Sequence, residues 1–333
     1  MRIFLAVLAA MGLVVTPAAP ATADHSRSSP DAAGALLAAF DDHALVAKSS
    51  PDVGSFLLDL VRDPRLPGKV NDIAVECGNS LYQTVLDAYI AGADVPIADV
   101  RPVWRNTTQP SCGFSTFYEQ LFPLVRQVNT TLPASRRIRV LACDPPVDWS
   151  RIHHPADFTP FEERDPAIVS VLKTQVLQKH RKALLLFGLG HLTHNTGSAV
   201  GRLEQEYPGS AFVVADHRGF LKDNARLEPR LGSWPSLTTL KNSWLGQLDA
   251  SYFPLDRDFP PGTKGFPGVD AYLYEGPAGT LLREPISART VLDTDFLTEM
   301  RRRATALEAP PGALEWPEFF LQRERDSGVL LGD

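Results

Sequence analysis

The residues of this 333-residue chain best suited to chemistry recur at one kind of place, just past short apolar runs. Ile73-Ala74-Val75 leads into Glu76, and Arg139-Val140-Leu141-Ala142 leads into Cys143-Asp144. Ala183 to Phe187 leads into Gly188-Leu189-Gly190-His191, and Phe212-Val213-Val214 leads into Asp216-His217. A carboxylate at the dry edge of a sheet is suited to general base or metal-ligand work, because burial and nearby charge shift its pKa. Histidine after glycine can approach a ligand closely and serve as ligand, base or oxyanion donor. Glu76, His191 and Asp144 are therefore the candidate catalytic residues, and Glu76, His191 and His194 the candidate metal ligands. Each also has a plain structural use: Glu76 as a helix cap, His191 as a loop hydrogen-bond partner, and Asp144 as the start of an Asp-Pro turn.

Other polar residues carry weaker signals. Asp148 and the pair His153-His154 sit in the Pro- and His-rich loop Asp144 to Pro160, although adjacent histidines seldom converge on one metal. Trp104-Arg105 and Arg126 have the chemistry for an anion but lie on helical segments, where surface ion pairs are the commoner use. His191 and His194 lack the spacing and internal glutamate of a zinc-protease helix. No serine occupies a Gly-x-Ser-x-Gly elbow. Gly188-Leu189-Gly190 is too short for a phosphate-binding glycine motif.

Elements that would position these residues follow from periodicity. Apolar runs alternating with amphipathic stretches predict βαβ units, that is, an α/β fold with a mostly parallel sheet and helices on both faces. The helical stretches include Phe56, Leu57, Leu60 and Val61; Leu81, Val85, Leu86, Tyr89 and Ile90; Ile97 to Arg105; and Phe117 to Val128, with a break expected at Pro123. Further helices are expected from Asp165-Pro166, over Ser198 to Tyr207, and through Phe296, Leu297, Met300 and Leu307. In such a sheet the carboxyl strand ends share one edge, where ligands bind. A Trp- and Pro-rich stretch near 218–268 lacks periodicity and is read as an insertion over that site.

Composition narrows the function classes. The chain is 44% hydrophobic with a formal net charge of −6, enough for a substantial core. Without a basic stripe interleaved with aromatics it is not expected to bind nucleic acid. Met1-Arg2, the apolar run Ile3 to Val15 and Ala21-Thr22-Ala23 have the form of a signal peptide over residues 1–23. The mature start would be Asp24, and the protein would be secreted or periplasmic, with no transmembrane segment after cleavage. Residues 24–42 then read as a flexible lead-in, 43–309 as a single α/β domain and 310–333 as a C-terminal tail. Cys77, Cys112 and Cys143 read first as buried small hydrophobes, with a disulfide using Cys112 as the alternative.

The order of strand, helix, strand ending in Glu, and later Gly-His resembles the superfamily joining erythromycin-esterase-like hydrolases, ChaN-type haem-binding proteins and Tiki/TraB proteins. Longer pieces, Val75 to Gln83, Arg139 to Trp149, Gly188 to Leu192 and Asp270 to Gly276, resemble an uncharacterised branch of exported bacterial proteins. The resemblance covers about His43 to Arg303. It implies an erythromycin-esterase/ChaN-like fold, with Glu76 as the second-strand glutamate and His191 as the later histidine. It further implies an esterase-like or metal-dependent hydrolase, and a divalent metal or haem as cofactor. One departure stands out. The family's first strand ends in a Gly-Glu-x-His-like motif, whereas here the same place reads Ala47-Lys48-Ser49-Ser50-Pro51-Asp52. That loss favours a second expectation, a catalytically degenerate protein that binds a small molecule such as a porphyrin or an envelope metabolite.

Overall fold

The apolar runs fold as strands because they are buried on both faces, as parallel strands under helices must be. A computed structural model describes residues 31–49, 56–254, 259–280, 286, 288–309 and 322. The signal segment 1–23, Ser50-Pro51-Asp52 and the tail from residue 310, apart from residue 322, lie outside the described residues. Seven strands form one sheet: β1 (Leu45–Ser49), β2 (Asp72–Asn79), β3 (Arg139–Asp144), β4 (Ala183–Phe187), β5 (Ala211–Asp216), β6 (Ser236–Thr239) and β7 (Ala271–Tyr274). Their order is β3-β2-β4-β1-β5-β7-β6, parallel except for β6, which pairs antiparallel with β7.

Alternation along the strands separates two cores. Val46, Val75, Val140 and Leu184 pack against α1 (Ala32–Ala38), α2 (Phe56–Arg62), α3 (Gln83–Ile90) and α4 (Thr116–Thr130). Ala47, Ala74, Leu141 and Phe187 pack on the other face against α5 (Asp165–Gln175) and α7 (Ala199–Glu206), while the short α6 (Leu189–Leu192) follows β4 directly. From β2 the chain moves outward to β3, and from β4 it moves the other way to β5. Their connections diverge, so the space beyond the carboxyl ends of β2 and β4 is a topological switch point, where open α/β sheets hold ligands. Glu76 and His191 belong to those two strand ends.

Several expectations change. Residues 31–42 of the expected lead-in are structured, and the Asp31 side chain caps α1 by accepting from Gly34 N at 2.7 Å. Leu36, Leu37 and Phe40 are buried, so burial of this apolar face outweighs the local small and polar composition. The helix around Pro123 runs unbroken over Thr116–Thr130, with Leu121, Phe122, Leu124 and Val125 buried on either side of the proline. Ile97 to Arg105 divides into Ile97–Val100 and Pro102–Arg105. The stretch 218–268 supplies edge strand β6 and the buried aromatics Phe220, Phe253 and Phe266 around Tyr272. It thus builds the β7 side of the sheet, away from β2. Among the described residues no helix is long and apolar enough to cross a membrane.

Of the two readings of the cysteines, the disulfide using Cys112 is the one that forms. Cys77 and Cys112 form a disulfide across a sequence separation of 35, and Cys143 is free and buried. The bridge ties the turn Pro110–Phe114 to β2 one residue past Glu76. Closing a loop of this size restricts the unfolded chain, so Cys77→Ser/Cys112→Ser should cost about 2–4 kcal/mol. Urea unfolding of the oxidised protein and the double variant checks this; coincident midpoints would show that the bridge does not stabilise.

Candidate functional site

Glu76 lies on the α5 face of β2, opposite the end of β4, and its Oε2 accepts the Gly188 backbone N–H. A Cβ at Gly188 would sit 3.2 Å from that same Oε2; glycine permits the close approach. Arg164, the residue before α5, reaches the strand ends with one guanidinium edge on each carboxylate. Its Nη1 donates to Glu76 Oε1 at 2.7 Å and its Nε to Asp144 Oδ1 at 2.7 Å, while Nη2 donates to the Glu76 carbonyl at 3.3 Å. Asp144 also accepts from Thr108, through the backbone N at 2.6 Å and Oγ1 at 2.8 Å.

His191, on α6, completes the group. Its Nδ1 pairs with Asp165 Oδ1, and its Nε2 lies 3.5 Å from Glu76 Oε1 and 3.4 Å from Arg164 Nη1. Glu76, Asp144 and His191 thus converge, and Arg164 bridges them. Arg164 and Asp165 are the residues that sequence reasoning missed, because Asp165-Pro166 reads as an ordinary helix start. The available signal was the charged run Glu162-Glu163-Arg164-Asp165 directly before that helix.

The electrostatics redistribute the expected roles. Burial alone would raise the Glu76 pKa, but hydrogen bonding to His191 and the charges of Arg164 and His191 bring it down to about 2. Glu76 is therefore ionised at neutral pH and too weak a base to take a proton there. Burial opposes charge on His191 as well, yet Asp165 and Glu76 raise it to about 9. Its stabilising pairing is fully present below about 6.5 and is lost as pH rises through about 9. Burial pushes Asp144 up in spite of Arg164 and Thr108. His191 retains 20% side-chain exposure, so the cluster opens to solvent through the imidazole.

The other candidates serve elsewhere. His194 is not in this group: Nδ1 meets Glu204 Oε2 at 2.5 Å and Nε2 meets Asp270 Oδ2 at 2.8 Å. Its two partners raise its pKa to about 10, and with both nitrogens engaged it is not free to ligate a metal with Glu76 and His191. Arg164 Nη1 already occupies the cation position beside Glu76, so these three residues do not fit a metal centre in this arrangement. Among the described residues no group of three or more His, Cys, Asp or Glu side chains has metal-holding geometry. His191 likewise has both ring nitrogens engaged and presents no free axial ligand for haem. Asp148 caps a turn through Ser150, and His154 with Asp157 forms a capping box. Arg126 donates to the Tyr89, Gly92 and Ala93 carbonyls at the end of α3, and Arg105 pairs with Asp293 at 2.6 Å. His217 is buried between the Tyr272 hydroxyl (2.9 Å) and Glu228 (2.7 Å).

The first strand end holds a separate cluster on the α1 face. Lys48 is fully buried, with Nζ 2.8 Å from Asp216 Oδ1 and 3.0 Å from Glu275 Oε1. Burial lifts Asp216 to about 7 even with Lys48 beside it. The end of β1 is thus held by an internal ion pair.

No family model matches this chain, and no curated protein matches it. Among solved structures, a Bacillus cereus protein is similar at 10% identity and a TM-score of 0.44, over 74% of this chain and 94% of its own. A likeness that small carries no chemistry across, and the function must be read from Glu76, Arg164, Asp165, Asp144 and His191 themselves.

Proposed function

We propose that the strand-end cluster is an acid–base site acting on a small molecule, with hydrolysis as the reaction type. The observation that carries this reading is the chain Asp165–His191–Glu76, in which a part-exposed imidazole is oriented at Nδ1 by one carboxylate and faces a second at Nε2. A carboxylate at Nδ1 fixes ring orientation and stabilises the imidazolium. His191, protonated at rest, would give its Nε2 proton to the leaving group as water adds to the reacting atom, and the neutral imidazole would then take the proton that this water releases. Arg164 would hold Glu76 ionised and in place. Asp144 positions Arg164 and does not touch the space beside His191. Relationship to the erythromycin-esterase/ChaN/TraB superfamily is part of the same proposal, supported by Glu76 and His191 meeting at neighbouring strand ends.

A second reading, a catalytically degenerate binding protein for a porphyrin-like or envelope metabolite, is favoured by one observation: Arg164 is already paired with both Glu76 and Asp144. Export is supported by the Cys77–Cys112 bridge, since disulfides persist in oxidising compartments. Together with the form of residues 1–23, it points to a secreted or periplasmic protein.

Esterase and peptidase substrate panels on the mature protein separate these readings. His191→Ala is expected to lower turnover by about 10²–10⁴-fold, and Glu76→Gln to lower it as well. If wild type and both variants are equally inert, the hydrolase reading fails. A haem titration monitored in the Soret band tests the second, and an unchanged spectrum counts against a porphyrin.

A further inference from the structure

Beyond β2 and β3 the surface holds an open pocket of about 470 Å³, lined among others by Tyr82, Asn106, Asp148, Glu299, Arg302 and Arg303. That volume is in the range of small-molecule pockets. Both arginines come from α8 (Thr294–Ala306). Arg303 is only 4% exposed and lies over the Trp149 ring at 4.7 Å. It donates through Nε to Glu299 at 2.8 Å, through Nη1 to the Arg105 carbonyl at 2.9 Å and through Nη2 to Asn106 Oδ1 at 2.6 Å. Arg302 donates to Glu299 from Nε at 2.6 Å and from Nη2 at 2.8 Å, to the Trp149 carbonyl at 2.7 Å and to the Ile152 carbonyl at 3.0 Å.

A guanidinium carries five N–H donors. Among the described residues Arg303 therefore keeps two unused and Arg302 one. The Tyr82 hydroxyl accepts from Asn106 Nδ2 at 2.9 Å and keeps its own proton to donate. The acceptors, by contrast, are already engaged: Glu299 takes three of the bonds above, and Asp148 is held by Ser150 and Arg151. Burial lowers the Arg303 pKa despite Glu299, as expected of a buried cation short of negative charge. The pocket thus has spare donors, fixed in position by Glu299 and main-chain carbonyls. The group that complements them is an oxyanion, for which guanidinium geometry is suited.

We propose that this pocket is a second binding site, separate from the Glu76 cluster, for a small molecule bearing a phosphate or a carboxylate. It stands whether or not the Glu76 cluster is catalytic. Titration calorimetry of the full mature protein with inorganic phosphate, and separately with acetate, tests it and tells the two oxyanions apart. One saturable site is expected for at least one of them. Arg302→Gln should weaken binding about tenfold, the loss of one charge-assisted hydrogen bond. Tyr82→Phe should weaken it by a smaller factor and, because it removes only a hydroxyl from a half-buried ring, serves as the variant that keeps the fold. Absence of saturable binding by wild type overturns the proposal. So does binding that is unchanged in both variants but lost in His191→Ala, which would place the anion at the Glu76 cluster.

Discussion

Arg164→Met is expected to destabilise the protein by about 3–5 kcal/mol at pH 8, the cost of leaving a buried charge without its partner. Two carboxylates depend on this guanidinium. Glu76 would keep Gly188 N–H and His191, but Asp144, fully buried, would keep only Thr108. Asp144 is already raised by burial with Arg164 present, so in the variant it relieves the strain by taking a proton. The cost should therefore shrink between pH 8 and pH 5. Arg164→Lys should recover only part of the loss, because one ammonium cannot span the Nε and Nη1 positions that meet the two carboxylates. A second readout is the His191 imidazole, which Arg164 disfavours in its charged form. Without Arg164 its NMR titration should move above about 9. A change under 1 kcal/mol, with an unmoved His191 midpoint, would show that the bridge is ornamental.

The contrast between Arg164 and its partners shows what this sequence discloses. Glu76, Asp144 and His191 were visible because each ends a continuous apolar run, and burial of such runs in a parallel sheet leaves little freedom about where their ends lie. Arg164 and Asp165 were not visible, because they enter from a loop whose course is decided by tertiary packing. His191 and His194 lie three residues apart, yet one faces Glu76 and the other is clamped by Glu204 and Asp270. Local pattern cannot separate them, since Asp270 is brought in by β7 from 76 residues away. Cys77 follows Glu76 and so points to the opposite face, where it joins the α1–α4 core; nothing in its spacing from Cys112 names the partner. Residues 31–42 read as a lead-in from their small and polar composition, whereas burial of Leu36, Leu37 and Phe40 decides their structure.

Lys48→Met is expected to cost about 3–5 kcal/mol at pH 8 as well, for a related reason with a sharper pH signature. The variant would leave Asp216 and Glu275 facing each other, with side chains only 5% and 8% exposed. Lys48 Nζ lies within hydrogen-bond distance of one oxygen of each, so both carboxylates depend on this one ammonium. In the wild type burial pushes Asp216 above its usual carboxylate range, up to about 7. A carboxyl raised in the folded state contributes stability that is complete below about 4 and is lost as pH rises through about 7. Without Lys48, Asp216 should hold its proton to still higher pH, and the penalty at pH 5 should be well below that at pH 8. Lys48→Met/Asp216→Leu/Glu275→Met tests the other half of the argument. If the triad is maintained only by internal pairing, apolar replacements of similar size should return stability to within about 2 kcal/mol of wild type. If the triple variant folds at full stability and retains whatever turnover the Glu76 cluster supports, the first strand end has no part in the chemistry. If turnover falls while stability is restored, Lys48 acts on the site across the sheet, and the end of β1 has a function of its own.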